Sequence, residues 1–365
     1  MALSPFERFA TRTRYAVAQS ARVGWYGTQS LLATRLVDRI GREIPEEERR
    51  RARTERPTPT RARLFQDVQA LLARDLANVE AGLYPMPRDE RGGVSGAIKR
   101  SRAYFDDLPD VVRRRHSRSH DEVGASAASA SRPDYYMQNF HFQSDGWMSE
   151  HSARLYDTQV ETLFLGAAAA MRRQALVPIA AELAKRDQRR LSFMDLACGT
   201  GGFLRTVNRA FPRLATIGID LSDAYLAHAR ETIGRRPRSG LAVASAEQLP
   251  FAPGVLDFST AIFLFHELPP EVRATVAREL ARATAPGGLF VLVDSLQFGD
   301  QPDFDGLLDL FPQLFHEPYY RNYLTSDFSG PFETAGFTVE DSFTAFLSKI
   351  VVFRRKGSDA RGLKS

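Results

Sequence analysis

Leu191-Ser192-Phe193-Met194-Asp195-Leu196-Ala197-Cys198-Gly199-Thr200-Gly201-Gly202-Phe203 decides the fold. A short apolar run enters a glycine-rich turn, and a helical pattern begins at once beyond it. Glycine suits such a turn because the chain must bend sharply and let its backbone approach a ligand that a Cβ atom would push away. The N–H groups at the start of the following helix attract a carboxylate or a phosphate. Short apolar runs alternating with helical stretches continue from Leu191 onward, as in a parallel sheet covered by helices. The pattern predicts strands near 191–196, 215–220, 241–244, 256–263 and 288–294. Gly336 to Phe343 and Ala345 to Arg354 then read as two consecutive strands, one of them antiparallel. The expected fold class is α/β: a Rossmann-like, mostly parallel seven-stranded sheet with helices on both faces, plus an N-terminal helical region.

A strand-loop-helix of this kind binds S-adenosylmethionine (SAM) or a dinucleotide. The dinucleotide fingerprint needs a third glycine, and Leu204 occupies that position, which weakens the second option. The next predicted strand, Ala215-Thr216-Ile217-Gly218-Ile219, ends in Asp220, about 20 residues past the turn, where a carboxylate can take both ribose hydroxyls. The third leads into Ala244-Ser245-Ala246-Glu247-Gln248-Leu249-Pro250-Phe251, on the same carboxyl edge of the sheet. Taken singly, Asp195 reads as a helix-terminal charge, Asp220 as a strand-end cap and Glu247 as a solvated loop residue. Together they point to a nucleoside.

These residues, with Gly218-Ile219-Asp220-Leu221-Ser222, Phe265-His266-Glu267-Leu268-Pro269 and Pro286-Gly287-Gly288-Leu289-Phe290, make the chain resemble the class I SAM-dependent methyltransferases. Within them it is similar to the group of the ubiquinone and menaquinone biosynthesis C-methyltransferases. The resemblance covers roughly residues 135–355. It implies that Asp195, Gly199, Thr200 and Gly201 face the methionine part of SAM, Asp220 the ribose, and Leu221, Ala246 and Glu247 the adenine. It also puts Phe263 in the wall of the pocket. Ala197 stands where many relatives have glycine. Ser245 stands where many have an aspartate for the adenine amine, and its hydroxyl accepts less strongly.

Methyl transfer from SAM is a direct displacement that chiefly needs alignment of donor and acceptor, with a base only if the acceptor must lose a proton. His266 and Glu267, just past the fourth strand, are the candidate catalytic residues, although a His-Glu-Leu-Pro turn also serves to start a helix at Pro269 or Pro270. The resemblance implies an acceptor pocket built from residues ahead of the first strand and from the insertion after the fifth. His141, Trp147, His316, Tyr319, Tyr320 and Tyr323 are the substrate-binding candidates, suited to a small planar or aromatic metabolite. No compact metal-ligand spacing links His141, His316 and Glu317, so no metal is expected.

Residues 1–123 read as a helical region, with two helices over 3–41 broken by Gly24 and Gly27, a charged stretch from Gly41 to Thr60, and a third helix from about Arg63 to Glu80. Gly124-Ala125-Ser126-Ala127-Ala128-Ser129-Ala130-Ser131 marks a linker over 124–134. The methyltransferase-like domain follows over 135–355, opening with an aromatic-rich passage from Tyr135 to Trp147 and then a long helical pattern to about Arg186, and 356–365 reads as a flexible tail. Of the 365 residues, the first 130 hold 24 Lys and Arg against 17 Asp and Glu, net +7, and the remainder 25 against 27, net −2. The arginines are interleaved with acids, which favours a solvated face over a nucleic-acid stripe. No Asn-Pro-Pro-Tyr-type motif follows the fourth strand, so RNA is the weaker acceptor class. A non-catalytic SAM-binding protein is the other alternative. The N-terminal helices are candidates for peripheral membrane contact or a homodimer. No apolar run approaches the roughly 20 residues of a membrane span, and the single cysteine, Cys198, excludes an intramolecular disulfide. A cytoplasmic protein is expected.

Overall fold

The computed structural model describes residues 4–46, 52–88, 92–120 and 132–357. The linker residues 124–131, most of the tail and the arginines at 49–51 lie outside the described residues.

The described strands are β1 (Ser192–Leu196), β2 (Ala215–Asp220), β3 (Ser239–Val243), β4 (Leu256–Ile262), β5 (Thr284–Ser295), β6 (Phe337–Ala345) and β7 (Ser348–Arg355). They form a seven-stranded sheet in the order β3-β2-β1-β4-β5-β7-β6. The sheet is mixed: β1 to β5 pair in parallel, while β7 runs antiparallel to both β5 and β6. A tight turn at Ala345–Ser348 enforces this, because a parallel pair would require a crossover of a dozen residues or more. Strand β5 is buried without alternation from Leu289 to Asp294, as expected of a strand covered on both faces. Strand order reverses between β1 and β4, and at such a switch point the carboxyl ends of the strands leave a crevice for ligands.

Around the sheet lie α1 (Pro5–Glu43), α2 (Arg61–Glu80), α3 (Gly93–Ser117), α4 (Glu150–Leu163), α5 (Ala168–Arg173), α6 (Leu176–Leu183), α7 (Gly202–Ala210), α8 (Asp223–Ile233), α9 (Pro270–Ala283), α10 (Asp305–Leu314), α11 (Tyr320–Tyr323) and α12 (Gly330–Thr334). Helix α9 starts at Pro270, where proline's fixed φ and missing N–H cost nothing.

Two helical expectations need correction. Residues 3–41 do not form two helices: α1 is continuous through Gly24 and Gly27 and opens on a capping box between Ser4 and Glu7. Its buried stripe is Tyr15, Gln19, Arg22, Tyr26, Gln29 and Ala33, at alternating spacings of four and three, whereas Phe6, Phe9 and Val17 are exposed. The apolar residues thus misreported which face is covered. Packing along its length offsets the roughly 1 kcal/mol that each interior glycine costs. The pattern up to Arg186 is likewise three helices, α4 to α6, interrupted where Leu165 (φ 54°) and Gly166 (φ 83°) turn left-handed. A Cβ at Gly166 would come within 3.1 Å of the Arg22 carbonyl oxygen, so the break lets α1 cross closely there.

The N-terminal helices share the main core. Val68, Leu71 and Val79 of α2, with Tyr84, join the cluster that includes the sheet residues Phe193, Phe258 and Val291. Asp75 of α2 takes a two-pronged ion pair from Arg173 of α5, with both side chains at most 2% exposed. Tyr15 and Tyr84 donate their hydroxyls to the same carboxylate at 2.5 and 2.7 Å.

Gly218 shows how tightly the cofactor-side strands pack. A Cβ there would meet Cys198 Sγ at 2.7 Å, Leu241 Cδ2 at 2.8 Å and Leu204 Cδ2 at 2.9 Å. Gly218→Ala is expected to destabilise the chain by about 1–3 kcal/mol in denaturant titration. A stability equal to that of the parent chain would contradict this packing.

Candidate functional site

The turn after β1 places Ala197 (φ 55°), Gly199 (φ 52°) and Gly201 (φ 73°) in the left-handed region. Ala197 therefore occupies a conformation in which glycine is relaxed and a Cβ is strained, by roughly 1–2 kcal/mol. At Gly201 a Cβ would lie 3.0 Å from Ala229 Cβ of α8. At the end of β2, Asp220 accepts the Gly199 N–H on one oxygen and the Ser222 N–H on the other, both at 2.8 Å. Burial raises its pKa, while these N–H groups pull the other way. Each oxygen keeps a lone pair for a further donor.

Past β3, the Ser245 hydroxyl accepts the Glu247 N–H at 3.1 Å, and Glu247 accepts the Tyr135 hydroxyl at 2.9 Å. The backbone of Ala244 to Ala246 and the Asp220 carboxylate thus face one cavity. Its walls include Ala197, Gly199, Asp220, Leu221, Ser245, Ala246, Phe263 and Glu267. Its roof comes from the segment before α4 and from α4 itself: Tyr135, Tyr136, Phe140, Trp147 and Tyr156. The Ser222 hydroxyl ties this roof down by donating to the Trp147 carbonyl at 2.5 Å.

Other candidates stand behind this wall. Asp195 is 2% exposed and accepts the Thr260 hydroxyl at 2.8 Å; burial lifts its pKa to about 7. Thr200 is buried and donates to Asp157 of α4 at 2.9 Å. Trp147, a substrate candidate from sequence, lines the cavity of Asp220 instead, because the roof segment folds over α8.

A second cavity, of about 310 Å³, lies on the far side of Phe263. Phe164, Leu308, Leu310, Phe311, Leu314 and Phe346 make it strongly apolar, and His141, His266, Glu267, Ser295 and Tyr320 supply its polar groups. It shares Tyr156, Phe263 and Glu267 with the first cavity. Phe263 holds a strained backbone (φ 57°) and stacks on Phe164 at 5.6 Å between ring centres. Further out, a space of about 780 Å³ shares His141, Tyr156, Leu163, Leu310, Leu314 and Phe315 with it and reaches α1 and α3.

His266 is buried, with Nδ1 2.5 Å from Asp294 Oδ1. Burial opposes the imidazolium, but the Asp294 carboxylate, backed by Glu317 and Glu267, outweighs it and raises His266 to about 9. Glu267 lies beside it, pushed well above the usual carboxylate range by burial and by Glu317. His141 sits 2.8 Å from Glu317 Oε1 and 4.0 Å from Glu267 Oε1.

Three substrate candidates fall elsewhere. His316 stacks on His120 and pairs with Gln138, and burial and His120 lower it to about 4. Tyr319 packs with the roof aromatics. Tyr323 is buried behind the apolar cavity, donating its hydroxyl to the Ser295 carbonyl at 2.5 Å. Tyr320 does face the cavity, its hydroxyl 2.6 Å from Ser295 Oγ. Sequence reasoning left Tyr135, Tyr136, Tyr156, Asp157 and Asp294 off the list of site residues. The two tyrosines at 135 and 136 fall in its aromatic-rich segment, but nothing local marks Tyr156, on an ordinary helical face.

The first cavity fits a nucleoside: a buried carboxylate with spare lone pairs, backbone groups after β3, aromatic walls, and the Trp147 Nε1 buried with no partner among the described residues. Residues 193–288 match the family of methyltransferase domains. Over 146 residues the chain is 30% identical to an uncharacterized methyltransferase of Synechocystis, covering 40% of this chain and 66% of that one. It is 31% identical over 109 residues to the demethylmenaquinone methyltransferase of Halalkalibacterium halodurans, covering 29% and 44%. The chain thus spans less than two thirds of the length of these relatives. Among solved structures, a magnesium protoporphyrin IX methyltransferase from Synechocystis with bound SAH is similar with a TM-score of 0.39 and 15% identity, over 51% of this chain and 83% of that one. The stretch that begins in β1 and ends in β5 is a SAM-dependent methyltransferase domain.

Proposed function

We propose that the chain transfers the methyl group of SAM to a small, mainly apolar acceptor with a planar reacting end, by direct displacement. The observation that carries this reading is the meeting of two cavities, one polar-edged at Asp220 and one apolar, at the shared residues Tyr156, Phe263 and Glu267. The bound cofactor supplies a methyl group already activated on a sulfonium. Asp220 holds the ribose hydroxyls, the residues from Ala244 to Ala246 border the adenine, and the Tyr135–Trp147 roof excludes water from the donor. Phe263 and Tyr156 line the junction where the acceptor would meet the methyl group. His266, held through Nδ1 by Asp294, and Glu267 stand at that junction to donate a hydrogen bond to the acceptor.

The apolar cavity and the space beyond it suit an acceptor carrying an extended hydrophobic body. In the basic N-terminal region, Arg12, Arg63, Arg102 and Arg113 are paired with Glu80, Asp67, Asp106 and Asp110. No described helix is long and apolar enough to cross a membrane.

The test is production of S-adenosylhomocysteine with a panel of planar acceptors bearing apolar tails of increasing length, run beside RNA. Turnover confined to RNA, or none at all, would refute the reading. Leu314→Trp, which fills the apolar cavity, is expected to lower kcat/KM for such an acceptor about tenfold or more while leaving SAM affinity unchanged. An unchanged kcat/KM would remove this cavity from the acceptor path.

A further inference from the structure

The polar end of the apolar cavity carries more charge than methyl transfer requires. His141, Glu267 and Glu317 each turn a potential ligand atom to one point, and those atoms lie within 4.8 Å of one another. They come from three separate parts of the chain: the segment before α4, the turn after β4 and the segment between α10 and α11. Glu317 is the informative member. Its side chain is fully buried; His141 Nε2 lies 2.8 Å from Oε1 without completing a hydrogen bond, and Oε2 has no hydrogen-bond partner among the described residues. A carboxylate so removed from water is costly unless a positive charge or several donors meet it. Glu267, a second carboxylate, faces the same point, and Asp294 lies behind His266. His141 reaches the point through a strained backbone (φ 55°), with its N–H bonded to the His316 carbonyl.

We infer that His141, Glu267 and Glu317 form a binding site for a divalent transition-metal cation at the acceptor end of the proposed active site. One imidazole and two carboxylates suit manganese, iron, cobalt or zinc, and an imidazole ligand disfavours magnesium and calcium. Three protein ligands leave coordination positions open toward the cavity, as at catalytic rather than structural metal sites. His266 stands beside them with Nε2 4.0 Å from Glu267 Oε1, its Nδ1 occupied by Asp294 as outer partners commonly hold a ligand histidine. This inference rests on the acceptor reading of the apolar cavity. It deepens that reading by assigning the acceptor an oxygen-bearing head, a hydroxyl or enol whose oxygen the cation would bind.

The probe is cobalt(II), titrated into the chelator-stripped full chain without a polyhistidine tag and followed by its visible absorption and by calorimetry. One equivalent is expected to bind. His141→Ala and Glu317→Gln are each expected to weaken binding about tenfold or more, a ligand mattering at least as much as an outer partner. SAM affinity, read at the other cavity, should be unchanged in both variants. Glu317→Gln keeps the shape and removes a buried charge whose Oε2 has no described hydrogen-bond partner, so its Tm should stay close to the parent's, and His141→Ala serves as the second reading should that variant misfold. Absence of saturable binding, or equal affinity in parent and both variants, would overturn the site. Because the binding assay contains no methyl acceptor, a chain that binds cobalt but methylates nothing defeats the proposed activity alone.

Discussion

Asp220→Ala is expected to weaken SAM binding about 100-fold in calorimetry. Two hydrogen bonds from ribose hydroxyls to an ionised carboxylate, at about 1.5–3 kcal/mol each, support that magnitude. The variant also releases the Gly199 and Ser222 N–H groups that now share the carboxylate, so the turn after β1 loses the group that orders it. Asp220→Asn separates the two effects. It keeps the shape and one acceptor oxygen, and should bind SAM more tightly than Asp220→Ala but about tenfold more weakly than the parent chain. Affinity within roughly threefold of the parent in Asp220→Ala, less than 1 kcal/mol, would sink the assignment of this cavity to the cofactor.

The second large effect is one of stability. Asp75→Ala removes the carboxylate that pairs with the Arg173 guanidinium, 2% exposed, and strips the hydroxyls of Tyr15 and Tyr84 of that acceptor. Breaking one partner of a buried pair costs about 3–5 kcal/mol, and that loss is expected in urea unfolding. The four side chains come from α1, α2, the segment after α2, and α5, so the same change should loosen the N-terminal helices from the sheet. The double variant Asp75→Leu with Arg173→Met removes both charges together. It should recover most of the loss, because well-packed apolar replacement of a buried pair is often neutral. A loss below about 1 kcal/mol in Asp75→Ala would show that the pair does not hold these helices.

The two halves of the molecule were unequally legible. Strands β1 to β5 and the turn at Asp195–Gly201 are written in local pattern, an apolar run followed by glycine, and their positions agree with the structure to within a few residues. The places of Asp220, Ser245 and Ala246 on one sheet edge were legible for the same reason, each ending or following a strand. The His141–Glu317 contact joins residues 176 positions apart and the Asp75–Arg173 pair joins residues 98 apart. No spacing rule reports such meetings. Helix α1 misled for a different reason: its covered stripe contains Gln19, Arg22 and Gln29, while large apolar side chains point outward. Periodicity follows hydrophobicity and does not see a buried stripe built from polar residues with partners. Trp147 lines the Asp220 cavity and Tyr319 packs with its roof, because the segment from Tyr135 to Trp147 is tied down by distant residues, Ser222 and Glu247, that no local pattern reports.

The two cavities share Tyr156, Phe263 and Glu267 and adjoin along Phe140–His141 and the turn after β4, while the rest of the apolar one comes from other stretches of chain. The lining of the apolar one, on α10 and around Phe346, lies far in sequence from the turn at Asp195 and the edge at Asp220. Mutational drift can therefore reshape what this chain accepts without renegotiating how it holds its donor. Descendants of such a protein would diversify in chemistry along α10 while keeping one unchanging grip on the nucleoside.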